Sequence, residues 1–307
     1  MDGKKELKKK LNEVAGLEVK ENTPLSSYTS FKVGGPADIF IVPETVKELR
    51  EAIKIINNSK LPWFILGKGS NVIASDRGYR GVIIFTGELT STSVDNNSIT
   101  AETGITLNKL AGRALEAGLK GLEFAAGIPG TLGGALFMNA GAYGGEIKDL
   151  LETTEVINPR GEKKLLSKKE MDLSYRNSRL QNQPLIATRA TLQLKPGNKE
   201  TIKQQMRELN DKRHRKQPLS WPSAGSAFKR PEGHYAGKLI EEAGMKGTRV
   251  GGAQVSKKHA GFIINLGNAS ATDIKKLIKT VQKEVYRNSG VHLEPEPKFL
   301  GEFERSN

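Results

Sequence analysis

The sequence predicts an α+β protein built from three consecutive blocks. Its 307 residues are enough for about two domains with substantial hydrophobic cores. Strand-like and helix-like hydrophobic spacings are mixed along the chain without strict β-α alternation, which favours the α+β class. The sequence shows neither an internal repeat nor a low-complexity tract, so a repeat architecture is not expected.

The first block has the pattern of a small β-α-β unit. Residues 37–42 alternate like a strand that ends at Pro43, and residues 45–58 carry apolar side chains at helical spacing. Two short apolar runs, at 63–66 and 82–85, are typical of buried strands.

The second block is predicted to be an α+β unit, and a helix connects it to the third. Its predicted elements are a strand near 98–101, a helix over 106–117 that ends at Gly118, a Gly-rich loop over 127–145, and strands at 153–157 and 185–194. The connecting helix and the third block are predicted as helices at 199–216, 236–242 and 272–288, with a strand at 261–265. Ser270 and Asp273 form a capping-box pattern at the start of the last helix.

Composition limits the function classes. The chain has no cysteine, which excludes disulfides, thiolate nucleophiles and Cys-type metal sites. No apolar stretch approaches a membrane span, and the N-terminus is charged, so a cytoplasmic chain without membrane contact is expected.

The charge predicts an anionic ligand without identifying it. With 48 Lys and Arg against 34 Asp and Glu, the net charge is +14. Nucleic acid, anionic lipid and small phosphorylated ligands would all be attracted. Basic residues are dense over 203–230, whereas the cluster at 4–10 is interpreted as a solvated helix. No Phe, Trp or Tyr interleaves with the basic residues over 4–10 or 203–216, as a base-stacking surface would require.

Several familiar motifs are absent. The run at 67–71 has neither the Walker A spacing nor the Gly-x-Gly-x-x-Gly spacing. The four histidines are too scattered for a metal-binding helix, so no metal site is predicted, and Ser226 is not in a Gly-x-Ser-x-Gly elbow. Nucleotide triphosphatase, metallohydrolase and serine esterase are therefore disfavoured.

Two Gly-rich loops remain, at 67–71 and at 127–145. The second has seven glycines in 19 residues, and no acidic residue occurs between positions 124 and 145. Glycine exposes backbone N–H groups without Cβ obstruction, and a turn followed by a helix can bind a pyrophosphate. Either loop alone is more simply explained by tight turns and close helix crossings, but the two together favour a dinucleotide bound between the first two blocks.

The residues of these loops resemble the two FAD-binding signatures of the vanillyl-alcohol-oxidase superfamily, whose cofactor fold is the two-subdomain PCMH type. Within it, the chain resembles the UDP-N-acetylenolpyruvoylglucosamine reductase family of bacterial cell-wall synthesis over about 25–301. Four further segments carry that resemblance, at 29–37, 175–178, 225–231 and 293–296. No extra loop separates Arg176 from Ser226, which resembles the shorter, second type of the family.

The resemblance implies a domain division and a set of FAD-binding residues. It implies two FAD-binding subdomains at 1–85 and 86–205 and a C-terminal α+β substrate-binding domain at 206–307. The residues that match the cofactor signatures are Gly67, Lys68, Gly69, Ser70, Asn71, Gly127, Ile128, Pro129, Gly130, Gly133, Gly134, Asn139, Ala140, Gly141 and Gly144.

The resemblance also implies a reaction. In the family NADPH reduces FAD, flavin N5 then delivers hydride to the enolpyruvyl ether of UDP-N-acetylglucosamine, and UDP-N-acetylmuramate is formed for peptidoglycan synthesis. By their match to family motifs, Ser226 is the proton donor, Arg176 faces the substrate carboxylate and Glu296 is the catalytic acid. Developing enolate charge makes a guanidinium and hydrogen-bond donors chemically sensible at this point. Strand geometry alone does not separate Glu296 from Glu294.

The implied partners are small molecules, namely the UDP substrate and NADPH, and the chain is expected to be a monomer that binds no nucleic acid. The residues that match or are candidates for substrate contacts are Tyr175, Lys216, Arg230, Tyr235 and His259.

Two alternatives stay open from the sequence. One is another FAD-dependent oxidoreductase of the same superfamily, such as an oxidase, although the chain lacks the usual covalent flavin anchors. The other is a basic RNA-binding module, which would leave the loop at 127–145 without a role.

Overall fold

A computed structural model describes residues 2–303 and shows the predicted mixture of helices and strands. The α-helices are α1 Asp2–Asn12, α2 Val46–Ser59, α3 Leu107–Glu116, α4 Leu132–Met138, α5 Ile147–Leu150, α6 Arg179–Asn182, α7 Lys199–Lys216, α8 Ala236–Glu242 and α9 Ala271–Ser289. The strands are β1 Glu18–Pro24, β2 Pro36–Val42, β3 Trp63–Leu66, β4 Val72–Ala74, β5 Tyr79–Phe85, β6 Thr92–Asp95, β7 Ser98–Glu102, β8 Leu119–Lys120, β9 Gly141–Ala142, β10 Gly145–Glu146, β11 Leu151–Ile157, β12 Lys163–Ser167, β13 Ile186–Gln193, β14 Lys195–Pro196, β15 Arg249–Val250, β16 Ala253–Val255, β17 Ile263–Asn265 and β18 Lys298–Leu300.

The described chain forms two compact units, each assembled from separate stretches of sequence. The first unit consists of residues up to 21, 39–68 and 81–212, and the second consists of 22–38, 69–80 and 213 onwards. The division at 1–85, 86–205 and 206–307 stays a prediction.

One part of the first unit is built on the four-stranded sheet β1-β2-β5-β3, in which β3 and β5 are parallel. Helices α1 and α2 cover it. Helix α2 starts at Thr45, whose hydroxyl accepts the N–H of Glu48. The N-terminal basic segment is a helix as predicted, but it is not merely solvated, because Leu7 and Leu11 are buried in the core of this sheet.

The other part of the first unit is the antiparallel sheet β12-β11-β13-β7-β6 with α3 and α4. The predicted strands at 153–157 and 185–194 are confirmed as β11 and β13. The segment 127–145 is not a continuous loop, which corrects the prediction, because it contains α4. Burial of Leu132 and Leu136 in the core outweighs the low helix propensity of the glycines between them.

The second unit places α8 and α9 on the three-stranded sheet β15-β16-β17, and separately pairs β18 with β4 in parallel. The capping box of Ser270 and Asp273 is confirmed. Asp76 strengthens the same helix start, because its carboxylate accepts the N–H groups of Ala271 and Thr272 at 2.7 and 2.9 Å. None of the helices within residues 2–303 is long and apolar enough to cross a membrane.

Candidate active site

Part of the first Gly-rich loop packs directly against the second within the first unit. A Cβ atom built on Gly67 would lie 2.5 Å from Thr131 Oγ1, so a side chain at position 67 would displace that hydroxyl. The hydroxyl is already used, because it caps α4 by accepting the N–H of Gly134 at 3.3 Å. Glycine is needed at position 67 because the two loops approach each other closely there. Thr131 was not among the predicted residues of this contact, although a threonine directly before a helix is an N-cap signal.

Free backbone donors occur at the first loop. Within residues 2–303, the N–H groups of Lys68, Gly69 and Ser70 donate to no protein acceptor. Gly69 has a φ of 60°, and a Cβ atom there would lie 2.0 Å from the carbonyl oxygen of Tyr28. Successive unpaired N–H groups suit a phosphate.

The start of α4 offers fewer donors than the sequence suggests. The N–H groups of Leu132 and Gly133 donate to the carbonyl oxygens of Ile105 and Thr103 at 2.9 and 2.8 Å. Gly134 is exposed, and its N–H donates to Thr131 Oγ1. Gly134 can therefore admit a ligand closely, although its N–H is not free to bind it. Gly133 instead packs against Thr103, whose Cβ would lie 3.1 Å from a Cβ atom at position 133.

Arg176 sits in a tight turn of the first unit. Ser174 and Asn177 exchange two backbone hydrogen bonds of 3.2 Å, and Arg176 has a φ of 54° between them. That left-handed conformation is unfavourable for a non-glycine residue by about 1–2 kcal/mol, and such strain is concentrated at functional sites. The guanidinium of the half-buried Arg176 lies 5.2 Å from the ring centroid of Tyr175, whose side chain is exposed.

The carboxylate of Glu146 lies close enough to Arg176 to interact with its charge. The pKa of Glu146 is lowered, first by the hydrogen bond from Lys148, then by that from Asn139, and also by the positive charge of Arg176. Glu146 is thus ionised and contributes a fixed negative charge beside the Arg176 turn.

Ser226 and Glu296 lie on neighbouring extended segments of the second unit. Ser226 forms a β-bridge with Phe262, and the N–H of Glu296 donates to the carbonyl oxygen of Ala227 at 3.1 Å. The prolines around Glu296 leave this pairing irregular, as the sequence indicates, and Phe228 bridges Pro295. The structure thus brings together two of the three predicted catalytic residues within one unit.

The structure distinguishes the two acids of that segment. Glu294 has a side chain that is 68% exposed and pairs with Lys229 Nζ at 2.6 Å. Glu296 is half-buried, and its carbonyl oxygen accepts a hydrogen bond of 3.3 Å from Asn71 Nδ2. Asn71 belongs to the predicted FAD loop and accepts the N–H of Lys298 at 2.9 Å. Within the second unit, the end of this loop is therefore attached to the segment that carries Glu296.

His259 and Lys216 share one electrostatic environment in the second unit. Burial is the main cause that lowers the pKa of His259, and the charges of Lys246 and Lys216 lower it further. His259 Nδ1 accepts the N–H of Gly261 at 3.1 Å. The neutral ring then carries its proton on Nε2, where it is available as a donor.

Arg230 and Tyr235 are also brought together. The guanidinium lies 4.1 Å above the ring centroid of Tyr235, which is 62% exposed, and Arg230 Nε donates to the carbonyl oxygen of His234 at 3.3 Å. The stacked pair presents a cation and an aromatic ring at the surface. No group of three or more potential metal ligands is found in the part of the chain that the structure describes.

Comparison with known proteins finds two family matches along the chain. The model of a family described as FAD binding domain matches residues 37–166, and that of a family described as UDP-N-acetylenolpyruvoylglucosamine reductase, C-terminal domain, matches residues 217–300. The fold and the paired glycine loops therefore define an FAD-dependent oxidoreductase.

Whole-chain relatives identify the family. A UDP-N-acetylenolpyruvoylglucosamine reductase of Caldicellulosiruptor bescii is 50% identical over 94% of this chain and 93% of its own, and one of Caldanaerobacter subterraneus is 51% identical over 92% and 93%. The crystal structure of UDP-N-acetylenolpyruvylglucosamine reductase from Thermus caldophilus is 38% identical with a TM-score of 0.81, covering 92% of this chain and 99% of that one. The chain belongs to the UDP-N-acetylenolpyruvoylglucosamine reductase family.

These findings confirm the predicted resemblance, fold class, enzyme class and FAD cofactor. They disfavour the oxidase and RNA-binding alternatives. The roles of individual site residues, the monomeric state and the cytoplasmic location stay predictions.

Proposed function

We propose that this chain reduces the enolpyruvyl ether of UDP-N-acetylglucosamine to UDP-N-acetylmuramate for peptidoglycan synthesis, with NADPH as reductant and FAD as cofactor. The relatives, which are UDP-N-acetylenolpyruvoylglucosamine reductases, support the substrate. The structural observation that carries the assignment is the backbone pairing of the segments that hold Ser226 and Glu296, with Asn71 bonded to the latter.

The residues present fit FAD. The contact of Gly67 with Thr131 leaves no room for a side chain between the loops, and the amides of Lys68, Gly69 and Ser70 have no protein acceptor in the described chain. Within the first unit, the amide of Lys68 next to this contact would bind the diphosphate, and the open surface at Gly134 would allow close approach. When bound, FAD supplies the hydride-transfer chemistry that side chains lack. The matches at 37–166 and 217–300 support placing FAD binding before position 206 and substrate binding after it.

Arg176 is proposed to bind the carboxylate of the enolpyruvyl group. Its guanidinium is permanently charged and planar, which suits a carboxylate. Because charge builds up on the substrate carboxylate as the double bond is reduced, the same contact stabilises the transition state more than the ground state. The ring of Tyr175 lies next to this guanidinium and offers it a cation–π contact.

Ser226 is proposed to donate the proton that completes reduction. A hydroxyl is a weak acid, but an enolate-like carbon is a strong enough base, and a neutral donor adds no charge next to the developing anion. Before that proton transfer, Glu296 is proposed to donate a hydrogen bond from a protonated carboxyl to the enolate and so stabilise its charge.

The diphosphate of the substrate is assigned to cationic and donor groups of the second unit. Lys216 supplies charge, and neutral His259 supplies its Nε2–H. Arg230 and Tyr235 provide a further cation and a ring face.

The experiment is an anaerobic titration of the purified holoenzyme followed by flavin absorbance. NADPH is expected to bleach the flavin, and enolpyruvyl-UDP-N-acetylglucosamine to restore the colour, whereas UDP-N-acetylglucosamine without the enolpyruvyl group should not. A protein that takes up no flavin, or whose reduced flavin ignores the substrate, would overturn the proposal. Rapid reoxidation by air alone would instead indicate an oxidase.

A further inference from the structure

The C-terminal end of α4 is fastened to the start of the Arg176 turn. Asn139 caps the helix with a φ of 42° and is completely buried. Its Nδ2 donates to the carbonyl oxygen of Ser174 and to Glu146 Oε2, both at 3.1 Å, and its Oδ1 accepts the N–H of Lys148 at 2.9 Å. Every hydrogen-bonding atom of the Asn139 amide is therefore used.

A second amide fastens the far side of the same turn. Gln181 Nε2 donates to the carbonyl oxygen of Phe137 at 2.7 Å and to that of Arg176 at 2.9 Å. Phe137 lies in the last turn of α4, where carbonyl oxygens lack intrahelical donors, and it also accepts the hydroxyl of Ser178 at 2.8 Å. A primary amide has two hydrogens on one nitrogen, so glutamine at position 181 can serve both carbonyl oxygens at once.

This attachment acts on a strained residue. Arg176 holds a φ of 54°, a conformation that persists only where surrounding contacts determine it. The bond from Gln181 goes to the carbonyl oxygen of Arg176 itself. Loss of that bond would free the peptide plane that follows Arg176 and remove one of the contacts that hold its left-handed backbone.

The opposite end of α4 begins at Thr131, which contacts Gly67 of the predicted FAD loop. One helix, about 10 Å long from its seven residues, thus has the FAD loop at its start and the Arg176 turn at its end. We propose that Gln181 is a positioning residue, which fixes Arg176 at a set distance from the bound cofactor through α4 with the help of Asn139. The inference rests on the proposed function, because it takes Arg176 as the group that binds the substrate carboxylate.

The test replaces Gln181 by Glu, which keeps the shape of the side chain and removes both donors. In stopped-flow measurements, oxidation of the reduced flavin by substrate is expected to slow about 10²-fold, the effect of a misplacement of roughly 1 Å. Reduction of the flavin by NADPH and FAD affinity should be unchanged.

The matched control is Gln193→Glu, since Gln193 is an exposed residue of β13 that also donates to two carbonyl oxygens. It should leave both half-reactions unchanged. Gln181→Met, which removes the donors without adding charge, replaces the first variant if Gln181→Glu fails to fold.

A double-mutant cycle with Arg176→Ala separates the possible failures. If Arg176→Ala alone leaves oxidation by substrate unchanged, the proposed function of Arg176 fails. If Arg176→Ala slows this step but Gln181→Glu does not, the positioning inference fails. If both variants slow the oxidation of the reduced flavin by substrate, Gln181→Glu must slow it by less than a further factor of about three in the Arg176→Ala background. The reason is that Gln181 acts through Arg176. A full additional 10²-fold loss there would overturn the inference.

Discussion

Replacing Gly134 by alanine should separate the stability of α4 from the binding of FAD. Gly134 lies in the first turn of α4 and is exposed, and a Cβ atom there would meet only Thr131 Oγ1, at an ordinary 3.7 Å. The protein therefore has room for the methyl group. Because alanine is favoured over glycine in a helix, the apoprotein should gain about 0.5–1 kcal/mol of unfolding free energy.

The bound cofactor should respond in the opposite direction. If FAD approaches the open face of Gly134, the methyl group occupies space that the cofactor needs. Overpacking by one methyl group typically costs about 1–3 kcal/mol, which corresponds to a rise of roughly 5- to 150-fold in the FAD dissociation constant.

The assay is titration of the apoprotein with FAD, followed by flavin fluorescence, alongside chemical denaturation of the apoprotein. Gly112→Ala is the matched control, because Gly112 lies in α3 and a Cβ atom there would meet nothing within 4 Å. Both variants should be at least as stable as the parent, and only Gly134→Ala should lose affinity. A Gly134→Ala variant that is folded and binds FAD like the parent would refute the proposed placement of the cofactor.

Three further predictions concern residues of the second unit. Ser226→Ala should retain reduction of the flavin by NADPH and slow its oxidation by substrate about 10²–10⁴-fold in stopped-flow traces, so a normal second half-reaction would remove Ser226 from the mechanism. Glu296→Gln should slow the oxidation of the flavin by substrate severely. Glu294→Gln should alter that rate little, because Glu294 forms an exposed ion pair with Lys229. Equal effects of the two substitutions would contradict the assignment of Glu296 as the acid. Burial lowers the pKa of His259 below its ordinary 6.5, so the unfolded chain binds this proton more readily. The free energy of unfolding should therefore decrease as the pH falls below about 6.5, and denaturation curves of His259→Gln should lack that component.

The predictable parts of the fold are those with local signals. Helix α2 was predicted from apolar spacing, and α9 from its stripe and the capping box of Ser270 and Asp273, and both occur. Such signals lie within a few residues of the element they specify. Helix α4 was missed because its glycines lower helix propensity, while the burial of Leu132 that stabilises it is a tertiary effect.

The site was predictable in identity and much less so in geometry. Gly67 was recognised from its motif, but its contact with Thr131 depends on a fold that joins residues distant in sequence. The two glutamates near the C-terminal end of the described chain are equivalent in an extended segment. The structure distinguishes them by the exposure of Glu294 and by its ion pair with Lys229, neither of which has a local sequence signal. The left-handed backbone of Arg176 has no sequence signal, because arginine is not a residue that favours it.

The parallel pairing of β4 with β18 has a consequence for synthesis of the chain. Strand β4 follows Asn71 directly, and its partner residues, Lys298 to Leu300, are translated more than two hundred residues later. While the polypeptide is growing on the ribosome, the end of the first glycine loop therefore lacks the strand that holds it. Flavin capture should accordingly be a late event, completed only after β18 has left the exit tunnel.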